Sequence, residues 1–177
     1  MQYSQSWAAH LGRTIHLSLF LLGLILSSNR CVGQQDTVRL RFEDYTVASS
    51  FKGKPKPVDL SSHRKAGLYR TVLRQQAAQG PNFAGHYTIA IWGVGTSTQA
   101  FAIVDALTGS VYFSDELPFV SWADWWEGEY GLKYRLDSNL LIVYGRRREQ
   151  DPKGIFYYRW DGKSLRHLKS VPMDSSR

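Results

Sequence analysis

Residues 80–113 read GPNFAGHYTIAIWGVGTSTQAFAIVDALTGSVYF, a stretch that predicts a helix end, three strands and a tight turn. Gly80-Pro81 ends a preceding helix, because glycine tolerates a left-handed backbone and proline cannot continue the hydrogen-bond ladder. Alternation of side-chain character predicts strands at 86–92 and 100–105, joined by a glycine-rich corner. Asp105–Gly109 then predicts a turn into a third short strand, and strands connected so closely must be antiparallel.

The flanking regions continue this pattern in both directions. Before the stretch, 38–42 with 45–47 predicts a first strand, and Ser62–Gln79 predicts an amphipathic helix capped by serine. After it, four further strands are predicted, the last two joined by a two-residue Asp161-Gly162 turn: 132–136, 140–144, 155–160 and 164–171. The sequence therefore predicts a single α+β domain, with a mainly antiparallel twisted sheet of six to eight strands and one helix packed on a face.

The first 33 residues have the composition of a secretory signal peptide. Arg13 precedes an apolar block at 17–26, small residues follow, and no acidic residue occurs before Asp36. The block is shorter than the ~20 apolar residues that a membrane-spanning helix needs, which favours a cleaved leader over a retained anchor. We expect cleavage after Gly33, leaving 34–177 as one exported domain, periplasmic or extracellular, without an integral membrane span.

Composition argues against several classes of partner. The chain has 177 residues, a formal net charge of +7 and one cysteine, Cys31, which would leave with the leader. The cationic residues are scattered along the chain, so a nucleic-acid partner is not expected. The histidines of the exported part are far apart and no carboxylate series has calcium-loop spacing, so neither a metal nor another cofactor is expected. We expect a monomer.

Three motifs together resemble a family of uncharacterised secreted bacterial proteins: Pro81–Tyr87 (PNFAGHY), Trp92–Thr96 (WGVGT) and Ile103–Tyr112 (IVDALTGSVY). With the later strands, the likeness covers about residues 80–168. The resemblance implies export and a shared fold, and it implies no chemistry. Relatives often place cysteines where this chain has Val94 and Thr98, so the disulfide that would pin the glycine corner is missing here. We expect the same corner, held less tightly.

His86 is the leading candidate for catalysis. It could act as a general base with Asp105 or Asp137, because histidine titrates in the useful range. The alternative, which we favour, is that its ring bonds a backbone carbonyl and fixes the start of a strand. No activated serine or cysteine motif accompanies it. A small hydrolase-like enzyme is therefore the second hypothesis for function.

Aromatic residues near the middle of the chain are the leading candidates for binding. Ser121 and Asp124 resemble a capping box, which predicts a short helical turn carrying Trp122, Trp125 and Trp126. Together with Tyr130, these rings are the candidate binding residues. Flat rings beside carboxylates can bind a sugar face or a cationic group, whereas such rings more often pack inward over the end of a sheet. The leading hypothesis is a non-enzymatic envelope or extracellular module that binds a protein or glycan partner.

Arg146–Arg148 is a second candidate for contacts with a ligand. The run could bind anionic surface polymers or lipid head groups. The alternative, which we favour, is that it keeps a hairpin tip soluble and its strand edge unpaired.

Overall fold

The computed structural model describes residues 39–48, 51–123 and 128–173. Within these ranges the chain forms one α-helix, one short 3-10 helix and eight strands. The 3-10 helix is Phe42–Tyr45 and the α-helix, α1, is Arg70–Ala77. The strands are β1 Tyr87–Gly95, β2 Thr98–Asp105, β3 Val111–Tyr112, β4 Val120–Ser121, β5 Gly131–Lys133, β6 Leu140–Gly145, β7 Gly154–Trp160 and β8 Leu165–Pro172.

All strand pairs are antiparallel, and the strands are divided between two four-stranded sheets. In sheet 1 the order is β1-β2-β3, and β4 also pairs with β2. In sheet 2 the order is β5-β6-β7-β8. The predicted α+β class, with up to eight mainly antiparallel strands and one helix, is thus confirmed. Alternation of side chains within a strand does not specify which strands share a sheet. The division of the strands into two sheets became apparent only from the hydrogen-bonded strand pairs in the structure.

The two sheets pack face to face over a shared apolar core. Alternate residues of β1 and β2, such as Ile89 and Ile103, belong to the same buried cluster as Val143 and Phe156 from sheet 2. The opposite face of sheet 1 carries small side chains such as Ala90, on which α1 packs through residues including Leu73. Sheet 1 therefore buries both faces, which explains why β1 and β2 contain so few charged residues.

The outer face of sheet 2 is covered by the N-terminal part of the described chain. Leu40, Phe42 and Tyr45 pack against inner strand residues that include Ile142 and Tyr157. The first strand predicted here was wrong, because residues 42–45 form a 3-10 helix and only Thr46 makes an isolated bridge, to Ser138. A 3-10 turn places residues three apart on one side, so Phe42 and Tyr45 both pack on the sheet, half-buried, without a strand.

The helix begins eight residues later than Ser62 and ends at Ala77. Residues before it form successive turns in which an N–H bonds the carbonyl three residues back, as between Ala66 and His63. The Ser62 hydroxyl donates to the Asp59 carbonyl and accepts the Val111 N–H, so it attaches this segment to β3 instead of capping a helix.

The final hairpin is present, but its loop is longer than predicted. Trp160 pairs with Leu165, which leaves a four-residue loop, 161–164, between β7 and β8. Asp161 stabilises this loop because its carboxylate accepts the backbone N–H groups of Lys163 and Ser164.

Candidate functional site

Two surface clefts lie at opposite ends of the β1–β2 hairpin. One, which we call the aromatic cleft, adjoins Tyr87 and Asp105, which pair at the open end of the hairpin. The other, which we call the hydroxyl cleft, adjoins Thr96 and Thr98 at the hairpin turn. Because each residue of a strand advances about 3.3 Å, the two sites are roughly 20–25 Å apart.

The aromatic cleft has a volume of about 370 Å³ and opens between the two sheets. Sheet 1 contributes residues of β1, β2 and β3, and sheet 2 contributes the end of β7 and the loop after it. The lining includes Tyr87, Asp105, Ser110, Tyr112, Trp160 and Lys163. Strand ends that meet at the mouth of a sandwich thus bring together residues far apart in the sequence.

Three aromatic rings form the apolar part of this cleft. The centroid of the Trp160 ring lies 5.2 Å from that of Tyr87, with the planes near perpendicular at 78°. It lies 5.0 Å from the centroid of Tyr112, at 57°. Trp160 is only 4% exposed. Its buried indole N–H approaches the Tyr87 hydroxyl but falls short of a well-formed hydrogen bond. Tyr87 and Tyr112 are half-buried, so both rings retain an accessible surface.

Polar groups surround these rings. Asp105 and Lys163 contribute opposite charges to the lining, and Ser110 contributes a hydroxyl. Burial raises the pKa of the Tyr87 hydroxyl, the neighbouring Trp160 side chain lowers it in part, and the nearby carboxylates of Asp105 and Asp161 raise it further. Tyr87 therefore stays neutral at physiological pH and keeps an O–H that can donate.

His86 and Asp105 are brought together, but not as a developed catalytic pair. His86 Nε2 lies 3.8 Å from Asp105 Oδ1, and the His86 ring stacks on Tyr87 with centroids 4.1 Å apart. The Asp105 carboxylate accepts the Leu107 N–H at 2.7 Å and the Thr108 hydroxyl at 2.9 Å. These two hydrogen bonds of the Asp105 carboxylate stabilise the predicted Asp105–Gly109 turn. His86 lies beside the aromatic cleft and is not part of its lining.

Asp137 belongs to a separate ion network. Its carboxylate accepts two hydrogen bonds from Arg135, at 2.9 and 2.7 Å, and Arg135 also pairs with Glu43. These hydrogen bonds from Arg135 lower the pKa of Asp137. No ion pair joins Asp137 to His86 in the described residues, so the structure does not bring this part of the proposed catalytic set together.

The structure describes two of the four rings of the predicted aromatic binding surface. The Trp122 and Tyr130 rings lie 5.3 Å apart and tilted by 30°, with Tyr130 55% exposed and Trp122 half-buried. Trp125 and Trp126 lie outside the described residues. Ser121, expected to cap a helical turn, belongs instead to strand β4, where its hydroxyl oxygen lies 3.2 Å from that of Thr98. Binding at this surface stays a prediction.

The hydroxyl cleft has a volume of about 350 Å³, and most of the residues that line it are polar. Gly95 pairs with Thr98 across a two-residue turn, which presents Thr96 at the tip of the hairpin. Mutual backbone hydrogen bonds between Ser121 and Arg146 hold β4 beside the end of β6. The lining includes Thr96, Thr98, Phe119, Ser121, Arg146 and Glu149.

The aromatic cleft could not be predicted from sequence patterns, because the position of each of its rings in a strand is typical of a core residue. Tyr87 and Tyr112 occupy alternating strand positions, and Trp160 ends a strongly apolar strand. Only the packing of the two sheets shows that the three rings meet at an opening. The one signal near them was the Asp105–Gly109 turn, which places Asp105 at the same end of the hairpin.

The described ranges contain no group of three or more metal-binding side chains. None of their helices has the length and apolar character needed to cross a bilayer. Comparisons of the chain with protein-family models, curated proteins and solved structures each found no match.

Proposed function

We propose that this chain is an exported, non-enzymatic module that binds a glycan in the aromatic cleft. The observation that carries the proposal is the meeting of three rings, Tyr87, Tyr112 and Trp160, with polar groups at an open cleft. A sugar ring has apolar C–H faces and hydroxyl edges, so flat rings beside donors and acceptors complement both. Export is supported by the leader-like composition of residues 1–33.

The polar lining has unused hydrogen-bonding capacity. A carboxylate offers about four acceptor sites, and Asp105 uses two of them within its turn. The remaining sites can accept from ligand hydroxyls, while Lys163 and Ser110 can donate to them. The volume of about 370 Å³ lies at the small end of the ~300–1,000 Å³ typical of small-ligand sites, which fits a short saccharide.

A glycan suits the described surface better than a protein partner does. Stable protein interfaces bury about 800 Å² on each side and centre on a contiguous apolar patch. The large apolar side chains that are exposed here occur on different elements: Leu68, Val94, Leu107, Tyr130, Leu136 and Leu168. The concave aromatic cleft is therefore the stronger candidate.

The second candidate is hydrolysis at the same cleft, favoured by the 3.8 Å approach of His86 to Asp105. A protonated His86 would pair with that carboxylate, and a neutral one could activate a water as general base. Against it, His86 is outside the cleft lining.

The test begins with a glycan array probed with the processed protein, followed by calorimetric titration of the strongest ligand. Tyr112→Ala should weaken binding roughly tenfold, since aromatic contacts contribute about 0.5–1.5 kcal/mol beyond burial. Tyr130→Ala is the matched control, because it removes an exposed tyrosine outside the cleft. Binding lost with Tyr130→Ala but kept with Tyr112→Ala would overturn the assignment to this cleft.

The enzymatic alternative is separated by the fate of the ligand. We expect the bound saccharide to be recovered intact by chromatography after prolonged incubation. Its cleavage, abolished by His86→Gln, would contradict a purely binding function and support the second candidate.

A further inference from the structure

Arg146 is a partly buried cation that has no carboxylate partner among the residues that the structure describes. Within the described residues its guanidinium makes one hydrogen bond, a long one of 3.4 Å from Nη1 to the Glu149 backbone carbonyl. Its Nε is buried and has no acceptor. No carboxylate of the described chain forms an ion pair with it, although Arg135, Arg147 and Arg166 all have such partners. The described part of the fold therefore leaves the charge of this guanidinium unneutralised, and the side chain lines a cleft where a ligand could supply the missing acceptor.

The neighbouring residue Arg147, in contrast, has its guanidinium bound by other side chains of the protein. Arg147 pairs with Asp151 at 3.1 Å, donates to the Tyr158 hydroxyl and lies over the Phe156 ring. Arg147 is thereby fully engaged by the fold. Arg146, one residue earlier, lines the hydroxyl cleft instead.

The cleft supplies further donors around Arg146. The Thr98 hydroxyl can donate to the Thr96 carbonyl at 3.0 Å or to the Ser121 hydroxyl oxygen at 3.2 Å. When Thr98 donates to Ser121, the proton of the Ser121 hydroxyl is available to a ligand. The Thr96 hydroxyl also lines the cleft. A guanidinium among hydroxyls matches the acceptor-rich surface of an oxyanion.

We propose that the hydroxyl cleft binds an oxyanion group, carboxylate or phosphate, of a small ligand, with Arg146 as its counter-charge and Ser121 and Thr96 as hydrogen-bond donors. Glu149 also lines the cleft and opposes an anion there. The Glu149 carboxylate therefore lowers the affinity of the cleft for an anion, and removing its charge should raise that affinity. This site lies at the other end of the hairpin from the aromatic cleft and does not depend on the function proposed for that cleft.

The experiment is a titration of the ¹⁵N-labelled protein, at low ionic strength, with galacturonate, neutral galactose and inorganic phosphate. Galacturonate, phosphate or both should give saturable shifts at the amides of residues 96–98, 121 and 146–149. A response to galacturonate alone identifies an acidic-sugar site, and a response to phosphate alone identifies a phosphoryl site. Galactose should leave these amides unchanged. No saturable shift with either anion would overturn the proposal.

Three variants separate a built site from general positive charge. Arg146→Gln should weaken anion binding roughly tenfold, because it removes a charge-assisted partner. Glu149→Gln should strengthen it, because a like charge is removed. Arg148→Gln is the matched control, since it removes the same charge from an exposed neighbour outside the cleft lining. Equal losses with Arg146→Gln and Arg148→Gln would overturn the proposal in favour of non-specific attraction.

Discussion

Two side-chain amides protect the free edge of β1. The Asn82 amide donates to the Ile89 carbonyl at 3.2 Å and accepts the Ile89 N–H at 2.8 Å. The Gln76 amide does the same for Ile91, at 2.6 and 2.9 Å. An amide side chain carries a donor and an acceptor together, so it can replace a neighbouring strand. These contacts satisfy outward-facing groups that would otherwise invite pairing with another chain.

Replacing Gln76 should expose part of this edge. We expect Gln76→Ala to lower the free energy of unfolding by about 1–3 kcal/mol, because two partly buried backbone groups lose their partners. Urea denaturation measures this loss, and size-exclusion chromatography should show increased self-association. Gln75→Ala, on the exposed side of the same helix, is the control and should change stability by less than about 0.5 kcal/mol. Equal effects of the two variants would refute edge protection.

Asp161 gives the chain a predictable response to acid. The hydrogen bond from Arg166, at 2.6 Å, and those from the Ser164 and Lys163 N–H groups lower its pKa far below the ordinary value. A lowered folded-state pKa adds stability that is complete above the unfolded value of about 3.9 and is lost as the pH falls below it. Asp161→Asn should therefore lower Tm at pH 7, and its difference from the wild type should shrink below about pH 4. A difference independent of pH would contradict this role.

At the level of elements, the Asp105–Gly109 turn also anchors the loop that leads toward α1. The Lys56 N–H bonds the Ala106 carbonyl at 2.9 Å, and the Asp59 N–H bonds the Gly109 carbonyl at 2.8 Å. Gly109 has φ +84°, and a Cβ there would overlap the Pro57 carbonyl oxygen. The position therefore requires glycine for both its backbone conformation and its close contact.

The effect of the positive φ at Gly109 can be separated from that of its close contact by comparison with a second glycine, Gly80. Gly80 has φ +98°, and a Cβ there would have no neighbour within 4 Å, so Gly80→Ala should cost about 1–2 kcal/mol from backbone strain alone. Gly109→Ala adds the overlap with Pro57 and should cost at least about twice as much, measured by chemical denaturation. Similar losses for both variants would mean that the loop moves away freely and does not depend on this contact.

Local chemistry explains which elements could be predicted. The Asp105–Gly109 turn followed from side-chain groups that bond within five residues, and the structure confirms those bonds. The start of α1 did not follow, because Ser62 is engaged by Val111, 49 residues away. Segment 42–45 was misassigned because apolar spacing over a few residues fits a strand or a 3-10 turn.

At the largest scale, the part of the chain that the structure describes forms successive layers: α1, sheet 1, sheet 2 and the segment 40–45. This arrangement explains why the candidate site was not predictable. Tyr87, Tyr112 and Trp160 come from three strands in two sheets, and their meeting depends on sheet packing that no local pattern records. The candidate catalytic residues were separated for the same reason, since Asp137 lies in a turn where Arg135 is its partner.

The outermost layer makes its own contribution to stability. Phe42 packs with Tyr157 on the outer face of sheet 2 and is half-buried. Phe42→Ala should lower the free energy of unfolding by about 1–3 kcal/mol, less than the loss for a fully buried phenylalanine, and should increase binding of a hydrophobic dye. Arg41→Ala, at the exposed neighbouring position, is the control. Unchanged stability and dye binding would show that this layer is not part of the core.

The most direct test of the proposed function is to map a bound glycan by chemical-shift perturbation on the ¹⁵N-labelled protein, using the best ligand from the array. We predict saturable shifts at Tyr87, Tyr112, Lys163 and the indole N–H of Trp160, all at the mouth of the two sheets. Shifts confined to other surfaces, or no saturable shift with any glycan of the array, would contradict glycan binding in the aromatic cleft.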